Sequence, residues 1–163
     1  MIWFTADHHF GHTNIIEKCD RPFKTVEEMD VTLINNWNEV VKKQDRVYHL
    51  GDFAFSAIEK YRRRLNGDIV LIRGHHDPKQ AKTTFGSVFD LRAIKIDKQK
   101  IVLCHYPLRT WEGSSKNSIH LHGHSHGRLI DMPGSLDVGV DCWQYYPISY
   151  EKIKQILRIP NGQ

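Results

Sequence analysis

Acidic and imidazole side chains follow the apolar segments of this chain at five points, and three of these points are marked by glycine. In chain order, the five clusters are Asp7-x-His9, Gly51-Asp52, Gly74-His75-His76-Asp77, His105 and Gly123-His124-x-His126. Imidazole and carboxylate ligands together suit Mn, Fe, Zn, Co or Ni, whereas oxygen ligands alone suit Mg or Ca. The clusters therefore predict a transition-metal site, provided that the fold brings them together.

Taken singly, each cluster is weak evidence, because a lone histidine is more often a hydrogen-bonded core residue than a ligand. Histidine is nonetheless abundant, with 11 among 163 residues, and the clusters are neither contiguous nor terminal, as a tag would be. Unrelated core and surface histidines are the alternative explanation. The ordered set argues against it, because ligands of open α/β sheets gather at the carboxyl ends of the strands.

The apolar segments before the clusters have the lengths and patterns of strands. Strands alternate with helices in the first half, and this β-α-β-α-β order predicts a parallel sheet. Residues 91–105 alternate on both sides of a polar turn and predict an antiparallel hairpin. We therefore expect one mixed α/β domain over residues 1–163. The predicted strands are 2–6, 46–50, 68–73, 91–105 as a hairpin, 118–123 and 136–140, and the predicted helices are 26–43, 56–65 and 148–157.

The composition is that of a globular protein, with 40% apolar residues and charges of both signs. The net charge of +4 fits an anionic substrate without requiring one. No apolar stretch approaches the ~20 residues that cross a bilayer, and the opening residues lack the basic start of a signal peptide. Three cysteines without a C-x-x-C pair favour a reducing compartment. We expect a cytoplasmic protein without a membrane partner.

The five clusters match, in order, the motifs D-x-H, G-D, G-N-H-D/E, H and G-H-x-H, and over residues 7–126 the sequence resembles the calcineurin-like metallophosphoesterases. The run from Thr5 to His12 resembles the opening of the small, single-domain bacterial and phage-type members. The resemblance implies an α/β fold, a two-sheet β sandwich flanked by helices, with a dinuclear metal centre at the strand ends. His75 departs from the pattern, because the family has asparagine there.

The resemblance also implies a ligand set for two divalent transition-metal ions, Mn²⁺ in the first place, with Fe, Zn, Ni or Co as alternatives. The first metal would be held by Asp7, His9 and His126, the second by His105 and His124, and Asp52 would bridge the two. Two such metals bind the substrate phosphate and acidify a water into the hydroxide that attacks phosphorus. We expect His75 to ligate the second metal through Nδ1. The alternative is that its ring swings out and leaves that metal weak or displaced.

The remaining candidate residues concern catalysis and substrate binding. By its place in the motif, His76 would contact the phosphate and protonate the leaving group. Asp77 would either orient His76 or hold the loop, and a helix N-cap is a further alternative. His12 is expected to line the substrate side. Arg73 and Arg109 are candidate phosphate contacts, since guanidinium suits oxyanions, and surface salt bridging is the alternative for each.

These features predict a metal-dependent phosphohydrolase that acts on phosphodiesters, phosphomonoesters or both, nucleotides and cyclic or linear diesters included. The different-class alternative is a metal-binding scaffold for protein interaction, or an impaired enzyme, as in a retromer subunit with this fold. That subunit lacks the histidine that His76 supplies here, so the residues favour the enzyme. No protein partner is evident, and no nucleic-acid motif supports a nuclease.

Overall fold

The computed structural model describes residues 1–78, 81–130 and 132–159. In chain order, its helices and strands are β1 (Ile2–Thr5), α1 (Asn14–Lys18), α2 (Val26–Val40), β2 (Arg46–His49), α3 (Ile58–Arg62), β3 (Asp68–Ile72), α4 (Ala81–Phe85), β4 (Val88–Phe89), β5 (Leu91–Ile96), β6 (Gln99–Cys104), β7 (Ile119–His122), β8 (Ser135–Asp137), β9 (Ile148–Ser149) and α5 (Tyr150–Leu157).

The β-α-β-α-β half forms the predicted parallel sheet. Strand β2 lies between β1 and β3 and pairs with both in parallel, because the intervening helices return the chain to the same edge. Two short strands extend this sheet, β4 in parallel beside β3 and β9 antiparallel beside β1. The strand order is therefore β4-β3-β2-β1-β9.

The second half forms a separate four-stranded sheet of order β5-β6-β7-β8. The predicted hairpin is confirmed, since β5 and β6 pair antiparallel from Leu91 opposite Cys104 to Ile96 opposite Gln99. Beyond the hairpin, β6, β7 and β8 run parallel to one another. Both sheets thus present several parallel strand ends at one edge.

Successive residues of the first sheet face opposite layers, as the period of a strand requires. Trp3, for example, packs in a core with the α2 residues Leu33 and Trp37. Its neighbour Phe4 packs in a second core with Leu103 of the other sheet. The result is two stacked sheets flanked by helices, which confirms the predicted fold class.

The element bounds differ from the predicted ones mainly where elements are short. The closing helix begins at Tyr150 rather than at 148, because Ile148 and Ser149 form β9, and the Ser149 side chain accepts a hydrogen bond from the Lys152 amide. The short elements α1, α4 and β4 carry too few residues to show a period. The longest helix in the described ranges, α2, has 15 residues, and none of the helices there could cross a bilayer.

Candidate metal centre

The five clusters come together at the carboxyl ends of β1, β2, β3, β6 and β7. Backbone hydrogen bonds hold neighbouring ends in place: the Asp7 amide donates to the Gly51 carbonyl at 2.9 Å, and the Gly123 amide donates to the His105 carbonyl at 3.0 Å. The first pair belongs to one sheet and the second pair to the other. The rim that the sequence predicts is therefore shared by two sheets.

The donor atoms form a continuous series at this rim. Among the described residues, three groups have ligand atoms within 4.8 Å of one another: Asp7, His9 and His126; His9, Asp52 and His76; and Asp52, His105 and His124. His9 is common to the first two groups and Asp52 to the last two, and Asp52 Oδ2 lies 3.4 Å from His9 Nε2 and 3.6 Å from His105 Nε2. A carboxylate oxygen between two imidazoles is placed as a bridging ligand would be.

Two motif glycines lie so close to acidic side chains that a larger residue would not fit. A Cβ on Gly74 would lie 2.4 Å from Asp52 Oδ1, and one on Gly123 would lie 2.5 Å from Asp7 Oδ2. Both contacts are far inside van der Waals distance. The close approach at Gly74 also lets the backbone N–H of His76 donate to Asp52 Oδ1 at 2.8 Å.

The backbone at the ligand positions is unusual, because its φ angles lie in the left-handed region. Left-handed φ angles are uncommon for residues other than glycine and cost on the order of 1–3 kcal/mol each. Strain of this kind persists where the surrounding structure enforces it, and it concentrates at functional sites. Five candidate ligands have φ between 49° and 68°: Asp7, His9, Asp52, His124 and His126.

The buried end of the centre has the donor atoms that a cation requires. Asp7 Oδ1 and His9 Nε2 are buried without a hydrogen-bond partner in the described part of the chain. Burial raises the pKa of Asp7 well above its usual range and lowers the pKa of His9, so His9 presents a neutral ring. An uncompensated buried carboxylate is costly. A divalent metal ion would satisfy both atoms, and the residues present therefore fit one.

His126 is held from behind by a buried ion pair. Its Nδ1–H donates to Asp141 Oδ2 at 2.7 Å, and this leaves Nε2 for a metal. Arg21 donates to both Asp141 oxygens at 2.8 Å and to the Asp7 carbonyl at 2.7 Å. Burial by itself would lower the pKa of His126, but the hydrogen bonds to Asp141 and Cys19 and the charges of Asp7 and Asp141 together outweigh it and raise the pKa to about 10.

His105 and His124 form the other end of the centre. The Nδ1–H of His105 donates to the Leu50 carbonyl at 2.8 Å, so its Nε2 faces the site and lies 3.2 Å from His124 Nδ1. Burial lowers the pKa of both rings. His105 is fully buried, whereas His124 is exposed.

A sequence profile of the calcineurin-like phosphoesterase superfamily domain matches residues 2–141, a range that includes all five clusters. The chain belongs to this superfamily. It is 38% identical over 168 residues to the uncharacterized protein MJ1445 of Methanocaldococcus jannaschii, covering 96% of this chain and 90% of that protein. It is also 27% identical over 180 residues to the gene 66 protein of Mycobacterium phage D29, covering 87% and 88% of the two chains.

Solved structures share the fold of this calcineurin-like phosphoesterase domain. A protein of unknown function, AQ665 from Aquifex aeolicus, has a TM-score of 0.77 at 27% identity, covering 96% of this chain and 98% of its own. An archaeal phosphodiesterase has a TM-score of 0.53 at 20% identity, covering 85% and 81% of the two chains. Yfce, a phosphoesterase from E. coli, has a TM-score of 0.50 at 16% identity, covering 85% and 77%. At these identities the last two show the fold alone.

In this phosphoesterase domain, His76 and His12 lie on the open side of the centre. The His76 ring is half-buried, and its centroid lies 5.3 Å from the ring centroid of His9 and 5.6 Å from that of His12. His12 Nδ1 lies 3.2 Å from His9 Nδ1. Both rings line a cavity of about 590 Å³, so a ligand in the cavity would meet the centre and these two rings together.

Asp77 has its carboxylate committed to the backbone. One oxygen accepts the N–H of Asp52 and of Gly74, both at 2.8 Å, and the other accepts the N–H of Phe53 at 2.9 Å. Asp77 thereby ties the loop after β3 to the loop after β2. These contacts favour the loop-holding alternative over an orienting contact with His76.

Three predicted residues lie away from the donor groups. Among the described residues, the three donor groups do not include His75. Its side chain is exposed and lines the 590 Å³ cavity. Arg73 pairs with Asp90 on the surface, which favours its salt-bridge alternative. Arg109 is exposed beyond β6. The described lining of the 590 Å³ cavity includes neither arginine.

Sequence reasoning missed Arg21 and Asp30 as supports of the site. Asp30 of α2 accepts the Gly11 amide at 3.0 Å and the Tyr61 hydroxyl at 2.8 Å, which fixes the loop that carries His12. Arg21 and its partner Asp141 are 120 residues apart, and no local pattern relates two such positions.

Proposed function

We propose that this superfamily member is a metal-dependent phosphohydrolase that cleaves phosphate esters, phosphodiesters included. The observation that carries the proposal is the pair of buried, unpartnered ligand atoms, Asp7 Oδ1 and His9 Nε2, beside the shared carboxylate of Asp52. Divalent metal ions bound there would polarise the phosphate and supply a hydroxide nucleophile near neutral pH.

The chain's own residues divide into two ligand groups. Asp7, His9 and His126 would hold one ion, and His105 and His124 would hold the other, with Asp52 shared between them. The imidazoles favour Mn, Fe, Zn, Co or Ni over Mg or Ca, and Mn²⁺ is the first ion to test. The proposed ligation by His75 requires its exposed ring to turn towards His124.

His76 is the residue proposed to transfer a proton. Its ring belongs to the donor group of His9 and Asp52 and lines the cavity, and its backbone N–H donates to Asp52. A protonated imidazole there would hydrogen-bond a phosphate oxygen and then give its proton to the departing alcohol. His12 lines the same cavity and is proposed to contact the substrate.

The test is turnover of bis-p-nitrophenyl phosphate by protein supplied with Mn²⁺, Ni²⁺ or Co²⁺. We expect hydrolysis that EDTA abolishes and that His76→Ala lowers by about 10²–10⁴-fold with its bound metal retained. Metal analysis of both proteins separates loss of a proton donor from loss of the metal. Bound metal without turnover in the wild type would contradict the proposal and favour a scaffold, and equal turnover in the variant would remove His76 from its role.

A further inference from the structure

An exposed aromatic ring lies at the edge of the metal centre. Phe55 is 56% exposed, and its ring stacks on His12 with centroids 4.5 Å apart and planes inclined by 14°. Its centroid also lies 6.2 Å from that of His76. None of the ligand or proton-transfer roles proposed above uses Phe55, yet the stack on His12 holds the ring at the substrate side.

A second cavity of about 550 Å³ begins at this ring and runs between α3 and α4. Its volume lies in the range of small-molecule sites, roughly 300–1,000 Å³. The lining combines apolar side chains with hydroxyls, cations and the carboxylate of Glu59, which pairs with Arg63. Among its members are Phe55, Ile58, Ala81, Ser56, Lys60 and Arg63.

Phe55 connects the two cavities. Its ring contacts His12, which lines the cavity of the metal centre, and Phe55 itself lines the second cavity. A phosphate seated beside His76 would therefore direct one ester substituent towards Phe55. One sugar unit spans the distance between a phosphate and a base, which matches the short separation of the His76 and Phe55 rings.

The chemistry of the second cavity distinguishes among substituents. A long alkyl chain would require a wholly apolar lining, whereas Ser56, Lys60 and Arg63 offer hydrogen-bond donors to ring nitrogens and carbonyl oxygens. The exposed face of Phe55 offers a π surface, on which any nucleobase can stack. A planar, polar heteroaromatic group fits both features.

We propose that Phe55 is a stacking platform for the nucleobase of the substrate, so that the substrates of this centre are nucleotide phosphodiesters. The inference rests on the proposed phosphohydrolase function and names its substrate class. The His12 ring stacks on one face of Phe55, the base would stack on the other face, and the second cavity would receive it. Phe55 is a specificity residue, because it touches the substrate away from the reacting atoms.

The test is isothermal titration calorimetry of Mn²⁺-loaded protein with AMP and with ribose 5-phosphate, which has a hydroxyl group where AMP carries the base. Phosphorus NMR verifies that both ligands stay intact during the titration. We expect AMP to bind about tenfold more tightly than ribose 5-phosphate, since the free energy of a tenfold difference lies within the range for a base stacked on one aromatic ring. Phe55→Ala should remove the difference, and Phe55→Trp should keep it.

Phe89→Ala is the matched control, because Phe89 is a 36%-exposed phenylalanine on β4 that stacks with Arg92 instead of His12. It should leave the preference for AMP unchanged. Equal affinity of the wild type for the two ligands, or binding of neither, would overturn the inference, as would an unchanged preference in Phe55→Ala. Diester turnover without a preference for AMP would contradict the role of Phe55 and leave the phosphohydrolase proposal standing. A Phe55-dependent preference for AMP without turnover would contradict the phosphohydrolase proposal alone.

Discussion

The two ends of the metal centre differ in how firmly the fold holds them. The first half, defined as Asp7, His9 and His126, begins in the protein interior, where Asp7 is 0% and His9 2% exposed. The second half, defined as Asp52, His105 and His124, ends at the solvent with His124. The fold holds the buried half firmly, whereas the exposed half, in which Asp52 and His105 are buried and His124 is not, can adjust at His124 to a metal and a substrate.

The contacts behind each half explain the difference. Asp141 and Arg21 form a buried ion pair behind His126, and Arg21 also binds the Asp7 carbonyl. In the second half, the Nδ1–H of His105 donates to the Leu50 carbonyl at 2.8 Å, but the exposed ring of His124 contacts the rings of His105 and Tyr106. Hydrogen bonds behind a ligand orient it and raise its affinity for a metal. The first half should therefore bind metal more tightly than the second.

The largest expected effect comes from Asp7→Asn in the first half. The amide oxygen of the new asparagine can still accept the hydrogen bond from the His124 N–H, which Asp7 Oδ2 accepts at 2.8 Å. The substitution removes the buried negative charge. We expect the metal-free variant to be at least as stable as the wild type, because that charge has no hydrogen-bond partner at Oδ1. Thermal stabilisation by Mn²⁺ should vanish, and turnover should fall on the order of a thousandfold.

Thermal unfolding with and without Mn²⁺ checks this prediction, together with turnover of bis-p-nitrophenyl phosphate. Asp68→Asn is the control, because Asp68 is an exposed acid that pairs with Arg46 far from the centre. Metal-induced stabilisation that persists in Asp7→Asn would show that the buried half is not the one that binds metal first.

Asp141→Asn tests whether the support behind His126 acts on the first half alone. We expect the metal affinity of one site to fall by about 10–100-fold while the other site keeps its affinity. Competition titrations with a chromogenic chelator resolve the two sites. Asp90→Asn removes a surface partner of Arg73 and should change neither site. An equal loss at both sites would contradict the division into two halves.

A buried imidazole pair beneath the first half predicts a pH dependence of stability. His49 Nε2 lies 2.9 Å from His8 Nδ1, and His49 Nδ1 accepts the Gly51 amide at 3.2 Å. Burial lowers the pKa of His49 to about 3 from 6.5 in an exposed chain. Between these values the unfolded state binds the proton and the folded state does not. His49 therefore stabilises the fold fully above pH 6.5, and this contribution is lost as the pH falls towards 3.

At pH 5 the loss from His49 alone should be about 2 kcal/mol in the free energy of unfolding. Urea unfolding of metal-free wild type and His49→Asn, at pH 7.5 and at pH 5, measures it. The asparagine keeps an acceptor for the Gly51 amide but does not titrate. The wild type should lose about 2 kcal/mol more than the variant between the two pH values, and identical losses would contradict the assignment.

The smallest effect concerns His75 in the exposed half. Because its ring is exposed and outside the donor groups, we expect His75→Ala to weaken the second metal less than tenfold and less than His124→Ala does. His75→Asn introduces the asparagine of the motif G-N-H-D/E and should match or exceed the wild-type affinity. A loss in His75→Ala as large as that in His124→Ala would show that metal binding recruits the ring as a full ligand.

The sequence predicted the parts of the molecule that depend on local pattern. The strands before Asp7, Asp52 and His75 were recognisable from apolar runs that end in glycine or acidic residues. The hairpin at 91–105 was recognisable from its alternation. Strands β4 and β9 and helices α1 and α4 were missed, because two to five residues carry no period and their formation depends on neighbours distant in the chain.

The site was predictable as a set of residue types and not as a set of contacts. Asp77 illustrates the limit, since the sequence admitted three roles and only the three amides around its carboxylate favour one of them. The same holds for Arg73, whose partner Asp90 lies 17 residues further along the chain. Both outcomes depend on where a side chain points once the strands are paired.

The sequence by itself determined which donors this protein has and in what order they follow its strands, because residue type and strand period are local properties. Tertiary structure decided which donor atoms face one another, since strand register and crossovers alone set distances between residues far apart in the chain. It placed Asp141 and Arg21 behind His126, left His75 at the solvent, and stacked Phe55 on His12. Packing sets the direction of each side chain, and packing exists only in the assembled fold.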